Sequence, residues 1–130
     1  MEKNLVYIIV KGFECPLDEI TKILNLEPTG GGLAGETMGK KTKIIRKIST
    51  WDLKSSLAEE LPVTQHVDAL LSVVENRKSE LLTLTKKYEG ELFVAKYNNN
   101  EFNTVVHLRK DQIQELAALN LELIVDIYRI

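Results

Sequence analysis

The chain has one cysteine, one tryptophan, two histidines and three prolines in 130 residues, and aromatic side chains make up only 6% of it. With Cys15 alone, no internal disulfide can form, which fits a reducing compartment. A small buried hydrophobe is the plainer role for that thiol, a nucleophile the sharper one. His66 and His107 lie at no metal-ligand spacing from each other or from Cys15, so neither a metal nor a cofactor is expected. No serine or cysteine sits in a nucleophile motif, which leaves acyl transfer without support and predicts a protein that is not an enzyme. Long apolar runs are missing too. The longest, Leu5 to Val10, is far short of the roughly 20 residues that span a bilayer, and no apolar leader precedes it. The expectation is a cytoplasmic protein with no membrane partner.

What is present suffices for one domain over residues 1–130. A hydrophobic content of 44% in a chain of this length supports an independent core. Leu5 to Phe13 is continuously apolar and reads as an interior strand buried on both faces. Pro16 opens a helix with Asp18 and Glu19 in its first turn, where the helix dipole favours acids, and with Leu17, Ile20, Ile23 and Leu24 as its buried stripe. Thr29 to Thr42 is rich in glycine, ends in lysines and has few apolar residues, so residues 29–43 are predicted to be a flexible loop.

Strand character returns from Ile44 to Leu53, where Trp51 and Leu53 share a face. From Val63 to Tyr88 apolar residues recur at helical spacing, starting after Pro62 and stopping near Gly90. Unbroken, such a helix would be about 39 Å long against a domain diameter of roughly 35 Å, which predicts a break near Asn76, Arg77 and Lys78. Leu92–Tyr97 and Phe102–Leu108, joined through three asparagines, are predicted as a hairpin. Asp111 and Gln114 have capping-box spacing for a short helix carrying Ile113, Leu116 and Ala117, with Asn120 as its C-terminal cap. Leu121 to Ile130 alternates as a closing strand, with Asp126 and Tyr128 on its mixed face.

The fold class expected is therefore α+β: a mixed or antiparallel sheet with helices on one face, its core a ferredoxin-like βαββαβ unit preceded by an extra β-α pair. Gly12-Phe13, the helix after Pro16 with Ile20 and Leu24, Leu26-Glu27-Pro28-Thr29, Trp51-Asp52-Leu53 and the ending from Leu119 to Tyr128 are spread over nearly the whole chain. In these features it resembles the bacterial family called domain of unknown function 4279. The resemblance implies a single bacterial α+β domain, with relatives that look like immunity or toxin-associated proteins, and it brings no catalytic residues. The glycine-rich loop and Asn76, where relatives often carry proline, depart from the pattern.

The net charge of -2 hides an asymmetry. From Glu36 to Lys54 six cations face two acids, a surplus of four, and the remainder is correspondingly acidic. Lysines on a strand edge discourage pairing, but Lys40, Lys41 and Lys43 beside the loop amides could also cradle an anion. The run Gly30 to Gly35 matches G-x-G-x-x-G literally, yet it leaves a helix and enters a strand, the reverse of a dinucleotide site. His107 could be oriented as a base by Asp126 or Tyr128 if the hairpin neighbours the last strand; a strand histidine with an ordinary hydrogen bond is the simpler reading. Phe93 and Tyr97 share a strand face, but the chain is acidic and lacks the basic-glycine-aromatic signature, so nucleic-acid binding is not expected. Trp51 is a core aromatic or, if exposed, a protein-binding anchor.

The function expected is a protein-binding module resembling an immunity protein, monomeric or homodimeric, with Trp51, Asp126, Tyr128 and His107 as candidate contact residues. The alternative is a sensor of an anionic small molecule that uses residues 30–43.

Overall fold

The computed structural model describes residues 2–39, 43–99 and 105–129. The elements follow in the order β1 (Lys3–Lys11), α1 (Leu17–Leu24), β2 (Gly30–Gly32), β3 (Thr50–Lys54), α2 (Val63–Val73), α3 (Lys78–Lys87), β4 (Glu89–Asn98), α4 (Lys110–Ala118) and β5 (Glu122–Arg129). They build one mixed five-stranded sheet in the order β2-β3-β1-β4-β5. β1 is antiparallel to both of its neighbours, and β5 runs parallel to β4.

The core forms on one side of the sheet. Val6, Ile8 and Val10 from β1, Trp51 from β3 and Leu92 and Val94 from β4 are buried against Ile20 and Leu24 of α1, Val67 and Leu70 of α2, and Leu81 and Leu84 of α3. The break in the long helical run falls where expected: α2 ends at Val73, a 3-10 turn spans Glu75–Arg77, and α3 follows. The turn has a structural use, since Arg77 Nε donates to the carbonyl of Leu24 at 2.8 Å and so satisfies the C-terminal end of α1. Asn25 and Asn120 take the left-handed conformation after α1 and α4.

Several expectations are corrected. The glycine-rich segment is not all loop, because Gly30–Gly32 pair antiparallel with Thr50–Asp52. Such pairing needs backbone alone, and at Gly31 a side chain is excluded: φ is +117° and a Cβ would lie 2.2 Å from the Thr50 carbonyl oxygen. Strand structure after Ile44 is limited to a bridge between Thr37 and Ile45 until β3 begins at Thr50. Residues 105–109 form no strand, while residues 100–104 of the expected hairpin lie outside the described residues. β4 already has β1 on one edge and β5 on the other, so a hairpin partner has no edge to join. The βαββαβ order is therefore not formed by the last six elements after a β-α pair; among the described residues it runs from β1 through α1, β2, β3 and the α2–α3 pair to β4, and α4 and β5 follow it. Gly90 belongs to β4 rather than to a helix stop, and there a Cβ would come within 2.4 Å of Thr85 Cγ2. Finally, α4 starts two residues earlier than the Asp111 spacing indicates: Gln112 Oε1 accepts from the amide of Arg109 at 3.0 Å.

Candidate functional site

A continuous apolar run in β1 is read from sequence as buried on both faces, but among the described residues all the helices lie on one. The alternate residues Lys3, Leu5, Tyr7, Ile9 and Lys11 form the middle of an uncovered sheet face and are only partly buried or exposed. Strand register extends this into rows. Lys54, Tyr7, Phe93 and Ile124 lie side by side across β3, β1, β4 and β5. The next rows carry Leu5, Ala95 and Asp126, then Lys3, Tyr97 and Tyr128. Tyr97 and Tyr128 stack with centroids 4.8 Å apart, and Tyr7 leans on Phe93 at 6.4 Å.

The opposite end of the same face is acidic. Asp52, Ile9, Glu91 and Glu122 form one row, and Lys11 is held by Glu91 at 2.9 Å. That hydrogen bond is the main reason the Lys11 pKa is raised. Burial pushes the Asp52 pKa up, against the opposing pull of Thr50 and Arg46. Its Oδ1 and Arg46 Nε find no hydrogen-bond partner among the described residues, although Arg46 Nη1 donates to Thr50 Oγ1 at 2.8 Å. The folded state thus holds the Asp52 proton more tightly than the unfolded chain. The resulting stabilisation is complete below the unfolded value and is lost as pH rises through the folded one. Asp52→Asn is expected to raise the melting temperature at pH 7, and the difference from the parent should vanish in acid below the ordinary aspartate value of 3.8; melting curves across that range check it.

Beside the start of β1 and the end of β4, near the start of α2, lies a cavity of about 300 Å³, lined by Glu2, Glu60, Thr64, Lys96 and His107 among others. The Lys96 side chain is 3% exposed, pairs with Glu2 and reaches Asn4 Oδ1 at 3.3 Å. The burial of this ammonium comes with its partners, as a buried charge requires.

The residues singled out from sequence separate. Asp126 and Tyr128 are on the uncovered face, where the tyrosine hydroxyl donates to Asp126 Oδ2 at 3.2 Å and the carboxylate raises the phenol pKa. His107 lines the cavity instead, so no His107–Asp126 pair is brought together. Trp51 is 1% exposed, and its Nε1 donates to Thr21 Oγ1 of α1 at 3.1 Å; it is a core residue and offers no contact surface. Lys43 is exposed, whereas Lys40 and Lys41 lie outside the described residues.

Sequence reasoning missed Tyr7, Glu91, Glu122 and Lys96. The alternation in β1 carried a signal only at its ends, where Lys3 and Lys11 share the face of Tyr7. Ser55 Oγ and His66 Nδ1 stand 2.7 Å apart, and both residues are buried. Among the described residues no group of His, Cys, Asp or Glu is placed to hold a metal ion, and no helix is long and apolar enough to cross a membrane.

These features define an α+β protein with an open sheet, helices on one side and an aromatic and acidic face on the other. The family model described as Domain of unknown function (DUF4279) matches residues 2–129, and the chain belongs to that family. No curated protein and no solved structure matches the chain.

Proposed function

We propose that the chain is a non-enzymatic protein-binding module that docks a partner on the uncovered sheet face. The observation that carries this reading is the combination on one surface of Tyr7, Phe93, Tyr97 and Tyr128 with an acidic row at the other end. Large aromatic side chains contribute contact area at little entropic cost and dominate binding energies at interfaces. Asp52, Glu91 and Glu122, which share one row of this face, favour a partner with a basic rim. An immunity-like role, occluding a basic surface of a toxin, fits the same chemistry. The cytoplasm is the compartment that the lone free cysteine favours.

The glycine-rich segment supports an anion sensor less well, because Gly30–Gly32 are paired with β3. The test is affinity capture from the native cell with the parent chain and with Tyr7→Ser and Phe93→Ser, each checked for folding by circular dichroism. A stoichiometric protein retained by the parent and lost from both variants is the expected result. Equal retention by the variants, or a small molecule as the only retained species, would overturn the reading.

A further inference from the structure

The two edges of the sheet are treated differently. β2 is a three-residue glycine strand, short and followed by a basic segment, which are devices that discourage strand addition. β5 has none of them. It is eight residues long, pairs with β4 in unbroken register without a bulge, contains neither proline nor lysine, and has no strand on its outer edge among the described residues. It also exposes apolar side chains on both faces. Leu123 and Ile127, on the helical side, are 46% and 50% exposed, and Tyr128 on the open side is 42% exposed. The sequence alternation marks Leu123 and Ile127 as core, but the helical layer stops short of them.

We propose that β5 is the interface of a symmetric homodimer, in which the strands of two copies pair antiparallel and join two sheets into one of ten strands. The occupant is a second copy because the strand is complementary to itself in one register. A two-fold axis that pairs two antiparallel edges is normal to the sheet, so each residue opposes one on the same face. Centred on Val125, the pairing sets Leu123 against the second copy's Ile127 twice over and Val125 against itself, giving an apolar row on the helical side. On the open side Glu122 opposes Tyr128 and Ile124 opposes Asp126, so no like charges meet. Centring on Ile124 would set Glu122 against Asp126, and centring on Asp126 would set that carboxylate against its own copy; both arrangements are destabilising. Centring on Ile127 leaves Leu123 beyond the end of the opposing strand. The dimer would leave the aromatic face free, doubling it across the axis, and the inference stands independently of what binds there.

Sedimentation velocity on the purified full chain tests this without any partner. The parent is expected to be dimeric at micromolar concentration. Leu123→Lys and Ile127→Glu should each weaken association about tenfold or more, with circular dichroism melts confirming that the half-exposed positions tolerate the change. The double variant Leu123→Lys with Ile127→Glu should restore the dimer, since each introduced cation then faces an introduced acid on the other copy. A parent that stays monomeric up to about 1 mM would overturn the proposal, as would single variants that dimerise like the parent. A double variant no better than the singles would overturn the register centred on Val125.

Discussion

Trp51→Ala is expected to lower stability by about 3–5 kcal/mol, the cost of emptying a fully buried aromatic site. Trp51 is 1% exposed and lies between the sheet and α1, with its ring nitrogen satisfied by Thr21. The loss combines the transfer of a large apolar surface, the cavity left behind and a stranded threonine hydroxyl. Against a total of about 5–15 kcal/mol for a domain of this size, that loss removes a large share of the stability. Urea denaturation followed by far-UV circular dichroism measures it, since the variant has no tryptophan to report fluorescence. A fall in the midpoint with an unchanged slope is the expected signature. Tyr128→Ala provides the contrast: it removes one stacked ring from an exposed face and should cost about 0.5–1.5 kcal/mol. A Trp51→Ala protein as stable as that second variant would contradict the buried placement.

Gln112→Met is the other substitution with a large expected effect, about 2–3 kcal/mol. The Gln112 amide is 1% exposed and uses all four of its hydrogen-bonding positions. Its Oε1 accepts from Thr64 Oγ1 and from the Arg109 amide, each at 3.0 Å, and its Nε2 donates to the Thr64 carbonyl at 2.8 Å and to Asp68 Oδ1 at 2.9 Å. One side chain thereby caps α4 and ties it to the first turn of α2. Methionine keeps the volume but makes none of these bonds; the half-buried Thr64 and the Arg109 amide each lose a partner, and an unpaired polar group out of water's reach costs more than a made bond contributes. Water can reach exposed Asp68, which keeps the loss below the sum of four bonds. Thermal unfolding gives the magnitude, and a cycle with Thr64→Val separates the side-chain pair from the rest. The Arg109–Asp68 pair, solvent-exposed and equally short at 2.8 Å, should matter much less, because exposed ion pairs are screened.

Gln112 also illustrates where sequence reasoning loses its grip. The capping pattern calls for Ser, Thr, Asp or Asn three residues before Glu or Gln, and Asp111 with Gln114 satisfies it. Arg109 is no recognised cap, yet the helix begins after it because Gln112 finds Thr64 and Asp68, residues 48 and 44 positions away in the chain. No local pattern encodes that meeting. The hairpin failed for a similar reason. Asparagines between two apolar runs are a sound turn signal, but β5 takes the edge of β4 that a hairpin partner would need.

The sequence by itself determined that the chain is α+β, that β1, α1, α4 and β5 form about where they do, and that the long helical run breaks at Glu75–Arg77. It did so because period, caps and helix length are local properties of the chain. The tertiary structure alone decided that Trp51 is core, that Gly30–Gly32 is a strand, that His107 and Asp126 are apart, and that Tyr7, Phe93, Tyr97 and Tyr128 share an uncovered face. Alternation shows which side chains point the same way but not what lies over them. An apolar residue reads identically under a helix and under solvent, and only the arrangement of distant elements distinguishes the two.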